Sequence, residues 1–464
     1  RRNHLTDLVV DMIPPDFSYI QKILLPLFYT IQMSVTGTVL GIFFALVLSP
    51  FGAANLGFPA VIRRILRIVI QILRSFPALI LALTATFLFG LGTFAGTFAI
   101  TLYTFAIMTK LTYEDASAAD VKAYQALRAM GVSKYVAYIH GILPEIIPGF
   151  LTNALYLLET NVRHSSILGY VGAGGIGLLL NEKISWLEYD KVGTILLMLF
   201  LTVCVIEYFS RYLAALIRKE RTIKKEQARL LLLFLAALFL ICTFTLSLPD
   251  FSRTSPQTLR NMFAGFLQPD WSFFFSAEKD GLGYLLLETV CIAFIGTVIG
   301  AIVSAPLAFL NTKRFVPAPV SFLFNLVIMV IRSVPFLVYG LIFIRVSGPG
   351  AFTGVLTLAV CSIGLLTKRF TEALDALDPR PYHALLAMGV RPLPAICHSV
   401  LPQLKPVFTS IILYRFDVNI REASVLGLVG AGGIGAPLIF SMNQYAWEKA
   451  GAIMLGLILF VWFI

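Results

Sequence analysis

The sequence predicts an all-α, polytopic membrane protein that consists of two copies of one helical module. The first observation is composition, because 58% of the 464 residues are hydrophobic and 13% are charged, whereas a soluble domain is about half apolar and about a quarter charged. The second is that apolar runs near the bilayer-spanning length of about 20 residues recur throughout the chain. The third is an internal repeat. Because a backbone in lipid must satisfy its own hydrogen bonds, these runs are predicted to be helices.

The repeat runs through several short segments. Residues 171–177, Val-Gly-Ala-Gly-Gly-Ile-Gly, return unchanged as residues 429–435, an offset of 258 (429 − 171). No insertion or deletion interrupts this offset between the first and the last matching segment, which indicates tandem duplication of one folded unit. The matching segments are residues 74–77 with 332–335, 126–132 with 384–390, 143–144 with 401–402 and 171–177 with 429–435.

Charge and cysteine usage argue against several other classes of protein. The net charge of +11 comes from basic residues in short loops between apolar runs, which is typical of cytoplasmic loops of membrane proteins rather than of a nucleic-acid interface. The five cysteines mostly lie in apolar runs without C-x-x-C spacing, so neither a metal site nor a redox site is expected. The sequence has no G-x-x-x-x-G-K-S/T segment, so no ATP-binding P-loop is expected either.

Five apolar spans are predicted in the first copy and six in the second. The sixth span of the first copy would precede Arg1. The predicted spans are residues 28–48, 68–89, 94–108, 146–168 and 192–217 in the first copy, and residues 230–248, 285–309, 322–344, 352–366, 404–426 and 450–464 in the second.

These spans divide the chain into five regions. An outer interfacial segment comes first, because residues 14–19 combine prolines and an acid with aromatic residues, which suits the headgroup level of a bilayer. A similar phrase at residues 268–273 precedes the second copy. The regions are residues 1–27 (outer interfacial segment), 28–217 (first module), 218–229 (basic cytoplasmic linker), 230–284 (extra span and second interfacial segment) and 285–464 (second module).

The positions of basic residues predict the topology. Loops rich in lysine and arginine alternate with loops that contain few, and the positive-inside rule places the basic set in the cytoplasm. Two long polar loops at equivalent positions, residues 110–140 and 368–398, then face the cytoplasm, and both Gly-rich stretches face outward. Six spans per copy keep the copies parallel, related by an axis along the membrane normal, and alternating access would rock one copy against the other.

Each cytoplasmic loop is predicted to contain a short helix. Asp120 and Asp378 suit the N-cap position, and Gly131 and Gly389 lie where a glycine ends a helix. A helix of this length is marginal alone in water. Its partner is either a groove on another protein or the membrane domain of this chain itself. The predicted helices are residues 121–130 and 379–388.

The pattern Ala-x-x-x-x-Gly in such a loop, followed by Leu-Pro and a span, resembles the EAA loop of bacterial ABC importer permeases. The resemblance implies that each loop helix docks on one ATPase subunit, which binds ATP and Mg²⁺, and transmits the closure of that subunit. Gln125 and His383 replace the glutamate of the family, so any ion pair made there does not carry over. The implied coupling residues are Asp120, Gln125, Ala126, Gly131, Pro144, Asp378, His383, Ala384, Gly389 and Pro402.

The Gly-rich stretch has two open interpretations. Residues 172–177 match G-x-G-x-x-G, but a transmembrane helix rather than a β-strand precedes them, so they do not predict a dinucleotide site. The glycines form either an anion-binding nest of accessible N–H groups or a tight turn that packs helices together.

The span before each Gly-rich stretch carries charged residues. Glu159 and Arg163 in the first copy are repeated as Asp417 and Arg421 in the second, with an asparagine between them in both. Ionisable residues within a span cost about 2.5–3.5 kcal/mol on insertion scales and tend to mark pathways. Either each acid pairs with the arginine four residues later, or the arginines face a central passage and bind a phosphonate or phosphate bidentately.

Three patterns together closely resemble phosphonate-type ABC permeases in both copies: Thr-Lys-x-x-x-Glu, Leu-Tyr-x-x-acid-x-Asn-x-Arg, and Ser-x-Leu-Gly-x-Val-Gly-Ala-Gly-Gly-Ile-Gly. The implied substrate-pathway residues are Asn161, Arg163, Ser166, Gly172, Gly174, Gly175, Asn419, Arg421, Ser424, Gly430, Gly432 and Gly433. The copies differ where Leu157, Leu158 and His164 correspond to Arg415, Phe416 and Glu422. In this interpretation the passage is asymmetric.

The resemblance implies a tandem duplicated type-I ABC importer permease bundle in a bacterial cytoplasmic membrane, which imports phosphonate or a relative such as phosphite or a phosphate ester. The chain would not itself be an enzyme, and it would need no cofactor and no nucleic acid. Its implied partners are two ATPase subunits and an extracytoplasmic substrate-binding protein. One alternative is the same architecture with an amino acid or a quaternary amine as substrate, for which an aromatic cage is expected. Another is a secondary transporter, a class in which inverted repeats are common.

Overall fold

The computed structural model describes residues 12, 15–217, 225–247, 249, 256–276, 278 and 281–463. Within these ranges the chain is helical and has no β-strand, so the predicted all-α fold class is confirmed. The basic run of the predicted linker, residues 218–224, and most of the first interfacial segment lie outside the described residues.

The described residues form two compact units, one that ends at Met262 and one that begins at Phe263. The helices of the first unit are α1 (Ile20–Gly52), α2 (Ala60–Ser75), α3 (Ala78–Phe89), α4 (Thr93–Ala118), α5 (Lys122–Ala129), α6 (Lys134–Gly141), α7 (Leu143–Leu168), α8 (Ile176–Ser185), α9 (Tyr189–Ile217) and α10 (Lys225–Phe244). The boundary lies within α11 (Pro256–Leu267). The second unit continues with α12 (Trp271–Phe274), α13 (Leu282–Asn311), α14 (Ala318–Ser333), α15 (Phe336–Ser347), α16 (Ala351–Ala376), α17 (Arg380–Ala387), α18 (Pro392–Ala395), α19 (Leu401–Leu426), α20 (Gly435–Asn443) and α21 (Trp447–Phe463).

The described residues contain several helices that could cross a membrane. Six helices of the described chain are long and apolar enough to cross a membrane: α1, α4, α9, α13, α16 and α19 with its flanking turns. Three bent pairs pass the same test together, namely α2 with α3, α6 with α7, and α14 with α15. The described residues therefore contain six candidate spans, or nine if each bent pair is one span. The shorter helices α10 and α21 are also apolar and overlap the predicted spans 230–248 and 450–464, so the division into five and six spans stays a prediction. The polytopic bundle itself is confirmed.

The prediction of a continuous span at residues 68–89 is wrong, because the helix breaks before Pro77 with a bend of 96°. Proline has no N–H to continue the helix, and it pushes Phe76 into extended backbone with φ −90° and ψ 129°. The predicted span at residues 322–344 is broken in the same way before Pro335, with a bend of 86°.

In the first unit, the helices α1 and α4 pack closely against each other. A Cβ on Gly37 would lie 2.7 Å from Cγ2 of Ile100. In the second unit, a Cβ on Gly300 of α13 would lie 2.4 Å from Cβ of Ser362 on α16. Small residues allow membrane helices to approach closely. In both modules the first span therefore lies against the span that precedes the predicted cytoplasmic loop.

The helix α10 opens the second copy by sequence but belongs to the first unit by packing. The amide of Gln32 on α1 donates hydrogen bonds to the carbonyl of Cys242 at 3.0 Å and to Oγ1 of Thr245 at 2.8 Å. The packing boundary at residues 262 and 263 therefore lies inside the region that the sequence grouped as residues 230–284.

Candidate functional site

The two helices of the predicted cytoplasmic loops, α5 and α17, are here called the loop helices. They agree with the predicted helices to within one residue at each end. The carboxylate of Asp120 accepts the N–H of Lys122 at 3.0 Å, and Asp378 accepts the N–H of Arg380 at 3.0 Å. The backbone hydrogen bond from Lys122 lowers the pKa of Asp120. Both aspartates therefore act as the predicted caps.

Both loop helices end at a glycine in the left-handed region. Gly131 and Gly389 have φ +83°. The N–H of Gly131 donates to the carbonyl of Arg128 at 3.0 Å, and the N–H of Val132 donates to the carbonyl of Leu127 at 3.2 Å. This pair of bonds is a Schellman motif, and the equivalent bonds at 3.0 and 3.1 Å end α17.

Each loop helix is held on one side and exposed on the other. Tyr124 is 5% exposed, and its hydroxyl donates to the carbonyl of Leu56 at 2.6 Å. In the second copy the ring of Tyr382 lies 5.6 Å from the ring of Phe315. The residues exposed on the other side include Gln125, Ala126, Met130, His383, Ala384 and Met388. Each helix therefore packs on its own module and still presents a free surface.

Pro144 and Pro402 start the spans that follow the loops. Each lies in the first turn of its helix, α7 or α19, where a missing N–H costs no intrahelical bond. The axes of α6 and α7 bend by 69° at this point. In the first copy, Pro144 therefore lies where the chain bends from the predicted cytoplasmic loop into the following span; in the second copy, residues 396–429, which include Pro402, form one candidate span.

Asn161 and Asn419 join helices within their modules. Nδ2 of Asn161 donates to Oγ1 of Thr38 on α1 at 2.8 Å and to Oγ1 of Thr104 on α4 at 2.7 Å. Nδ2 of Asn419 makes the equivalent bonds at 2.7 and 2.9 Å. Both asparagines are fully buried. They tie the charged span to two neighbouring helices, and their predicted contact with a substrate stays a prediction.

The predicted pairing of acid and arginine is present in both copies. Nη2 of Arg163 lies 3.0 Å from Glu159, and Nη2 of Arg421 lies 2.6 Å from Asp417. The side chains of Arg163 and Arg421 are 13% and 17% exposed. A buried pair of this kind orients each guanidinium. The predicted role of the arginines in the substrate pathway stays a prediction.

A second ion pair in the second copy was not predicted from the sequence. Arg415 is 4% exposed and pairs with Glu422, Nη2 to Oε2 at 2.8 Å. In the first copy Leu157 takes the place of the arginine, and His164 replaces the glutamate and lies with its ring 5.1 Å from the ring of Tyr103. The signal in the sequence is that both positions, seven residues apart, change together between the copies.

The Gly-rich turns, residues 169–175 and 427–433, are closely packed. A Cβ on Gly172, which has φ +83°, would lie 2.3 Å from Cδ2 of Leu91. A Cβ on Gly432, which has φ +81°, would lie 2.9 Å from Cα of Ala351. Within these two turns, φ is also positive at Gly174, Gly175, Gly430 and Gly433. Ser166 and Ser424 donate to carbonyls of their own helices at 2.6 and 2.7 Å. The geometry is that of a packed turn.

Several N–H groups that follow these turns are bound within the module. Ile176 donates to Oγ1 of Thr30 at 2.9 Å, and Ile434 donates to Oγ1 of Thr289 at 3.0 Å. These bonds align Thr30 with Thr289, an offset of 259 (289 − 30), so Tyr29 corresponds to Glu288. The carboxylate of Glu288 accepts the N–H of Gly433 at 3.2 Å. In the second copy, the carboxylate of Glu288 therefore occupies one N–H group of the Gly-rich turn.

Comparison with known proteins gives three findings. The family described as binding-protein-dependent transport system inner membrane component matches residues 37–222 and 296–464. The phosphate-import permease protein PhnE of Mycolicibacterium smegmatis is 27% identical over 468 residues, which cover 99% of this chain and 87% of that protein. The phosphite transport system permease protein PtxC of Stutzerimonas stutzeri is 36% identical over 177 residues, which cover 38% of this chain and 64% of that protein.

Among solved structures, an inward-facing form of the MetNI methionine ABC transporter is similar to part of this chain. The TM-score is 0.40 at 22% identity, and the match covers 44% of this chain and 99% of that one.

Proposed function

This chain belongs to the family of binding-protein-dependent transport system inner membrane components, and on that premise we propose that it is the permease of an ATP-driven importer for phosphorus oxyanions. The observation that carries the substrate class is the similarity over 99% of the chain to a phosphate-import permease. The shorter similarity to a phosphite permease supports the same class.

The loop helices are the proposed docking points for the ATPase subunits, one subunit on each. Their exposed residues, including Met130 at 69% and Met388 at 77% exposure, offer apolar surface to a groove. The opposite face of each loop helix packs on its own module; in the first copy, for example, the hydroxyl of Tyr124 donates a hydrogen bond to the module. A displacement of the helix therefore pulls on the spans beneath it. ATP and Mg²⁺ bind to the partner subunits, and this chain binds neither.

The substrate-binding protein delivers its oxyanion on the outer side in this proposal. Affinity and selectivity then lie mainly in that protein, and the permease needs only a weak, transient site. A guanidinium that is held by a carboxylate, as Arg163 is by Glu159, suits such a site because it donates to an oxyanion without binding it too tightly.

Uptake measurements test the substrate class. Cells that lack this chain are offered phosphite, an alkylphosphonate and phosphate as competing phosphorus sources. We expect uptake of at least one of them to be lost and to return when the chain is restored. Normal uptake of all three, with loss of uptake of an amino acid or a quaternary amine, would overturn the proposed substrate. A chain that purifies without any ATPase subunit and still transports would instead be a secondary transporter.

A further inference from the structure

Three buried polar atoms lie close together in sequence at the end of α7 that is predicted to face outward. They are Nη1 of Arg163, Nδ1 of His164 and the hydroxyl of Tyr170, and none has a hydrogen-bond partner among the described residues. Buried polar atoms are nearly always bonded, so such a group calls for an explanation. Oδ1 of Asn161 is also without a partner, but so is Oδ1 of Asn419, so that atom does not distinguish the copies.

The equivalent positions of the second copy are occupied differently. Arg421 pairs with Asp417 at 2.6 Å, and Glu422 pairs with Arg415 at 2.8 Å. Leu428 stands where the first copy has Tyr170, so the second copy has no hydroxyl there. Both arginines therefore pair with an acid four residues earlier. The copies differ at the other two positions: Glu422 is paired with Arg415 and Leu428 has no hydroxyl, whereas Nδ1 of His164 and the hydroxyl of Tyr170 have no partner among the described residues.

Charge separates the copies further. The carboxylate of Glu288 lies on the Gly-rich turn of the second copy, where it accepts the N–H of Gly433 at 3.2 Å. The first copy has the neutral Tyr29 at that position. An oxyanion that approaches the second copy meets a like charge, which disfavours binding. The first copy offers no such carboxylate at this position.

We propose that the permease binds its oxyanion in the first copy alone, through a subsite of Arg163, His164 and Tyr170. This inference rests on the proposed function. The ligand class is a tetrahedral phosphorus oxyanion, such as phosphite or the phosphonate group of a larger molecule. Nη1 of Arg163 and the hydroxyl of Tyr170 donate to its oxygens, and His164 donates in the tautomer that carries its proton on Nδ1.

The surroundings keep two of these groups in place. Glu159 holds the other nitrogen of the Arg163 fork at 3.0 Å. The ring of Tyr103 lies edge-on to the ring of His164, with centroids 5.1 Å apart. Because the arginine charge is already balanced by Glu159, the subsite holds a dianion weakly, as a transport step requires.

Reconstituted transport with inorganic phosphite tests the proposal. The transporter, complete with ATPase subunits and binding protein, is placed in proteoliposomes, and phosphite moved per ATP hydrolysed is measured. Tyr170→Phe removes one oxygen atom, and Arg163→Lys keeps the charge but loses the fork. We expect each to lower the ratio about tenfold, the effect of one hydrogen bond to a charged group. The matched control is Arg211→Lys, because Arg211 also pairs with a glutamate four residues earlier, at 2.9 Å, and belongs to no predicted site. It should stay within about twofold of the wild type, and Arg421→Lys should lower the ratio less than Arg163→Lys does.

A double variant gives the first copy the residues of the second copy at two positions and so removes the proposed subsite. Leu157→Arg with His164→Glu introduces the ion pair of the second copy, so folding is expected to be preserved while transport is lost. The proposal is overturned if Arg163→Lys and Arg421→Lys reduce the ratio equally, or if Tyr170→Phe leaves it unchanged. A wild-type protein that moves neither phosphite nor phosphonate would instead refute the proposed function itself.

Discussion

Replacement of Gly131 tests how the end of the first loop helix contributes to coupling. Gly131 has φ +83°, and a Cβ there would have no heavy atom within 4 Å. Valine therefore adds no clash but must adopt the left-handed region, which costs about 1–2 kcal/mol. That energy is a factor of about 5–30 in the population of the correctly ended helix. Because α5 has only eight residues, its own helical stability is too small to offset the cost.

The assay measures substrate imported per ATP hydrolysed by the reconstituted transporter. Gly131→Val should lower this ratio by about 5- to 30-fold while ATP hydrolysis continues, and Gly389→Val should do the same. Gly131→Asn is the matched control, because asparagine tolerates positive φ, and it should fall between valine and the wild type. Wild-type ratios in both valine variants would refute the reasoning that these helix ends transmit the motion.

Three further predictions concern stability, measured by thermal unfolding of the purified permease in detergent. Arg415→Ala leaves the partly buried Glu422 without its arginine and should destabilise by roughly 1–3 kcal/mol, whereas replacing the pair by the leucine and histidine of the first copy should recover most of the loss. Asn161→Ala removes two interhelical bonds and should cost roughly 1–2 kcal/mol. Gly175→Ala should destabilise more than Gly131→Ala by roughly 1–3 kcal/mol, because only at Gly175 would the Cβ meet a threonine hydroxyl, at 2.7 Å.

Each stability prediction has an outcome that contradicts it. Equal unfolding temperatures for Arg415→Ala and the paired replacement would mean that the ion pair carries little weight. An Asn161→Ala protein as stable as the wild type would mean that the two threonine bonds are not needed. Equal losses at Gly175 and Gly131 would mean that backbone conformation, rather than contact, sets the cost.

Features decided by neighbouring residues were predictable from the sequence. The caps at Asp120 and Asp378 and the glycine ends at Gly131 and Gly389 depend on hydrogen bonds that reach at most five residues along the chain. The polytopic helical class follows from the length of the apolar runs, and the repeated segments indicate the duplication. The helix breaks before Pro77 and Pro335 also depend on neighbouring residues only. They were missed because the apolar run continues across each proline and was interpreted as one span.

The tertiary structure alone decided which residues meet across helices. The bonds from Asn161 reach residues 57 and 123 positions away, and Gln32 binds Cys242, 210 positions away. No sequence period specifies such pairs, because they depend on how whole helices pack. For the same reason, the sequence identified Arg163 and Arg421 as equivalents, and only their surroundings showed that the first keeps a guanidinium nitrogen without a protein partner among the described residues.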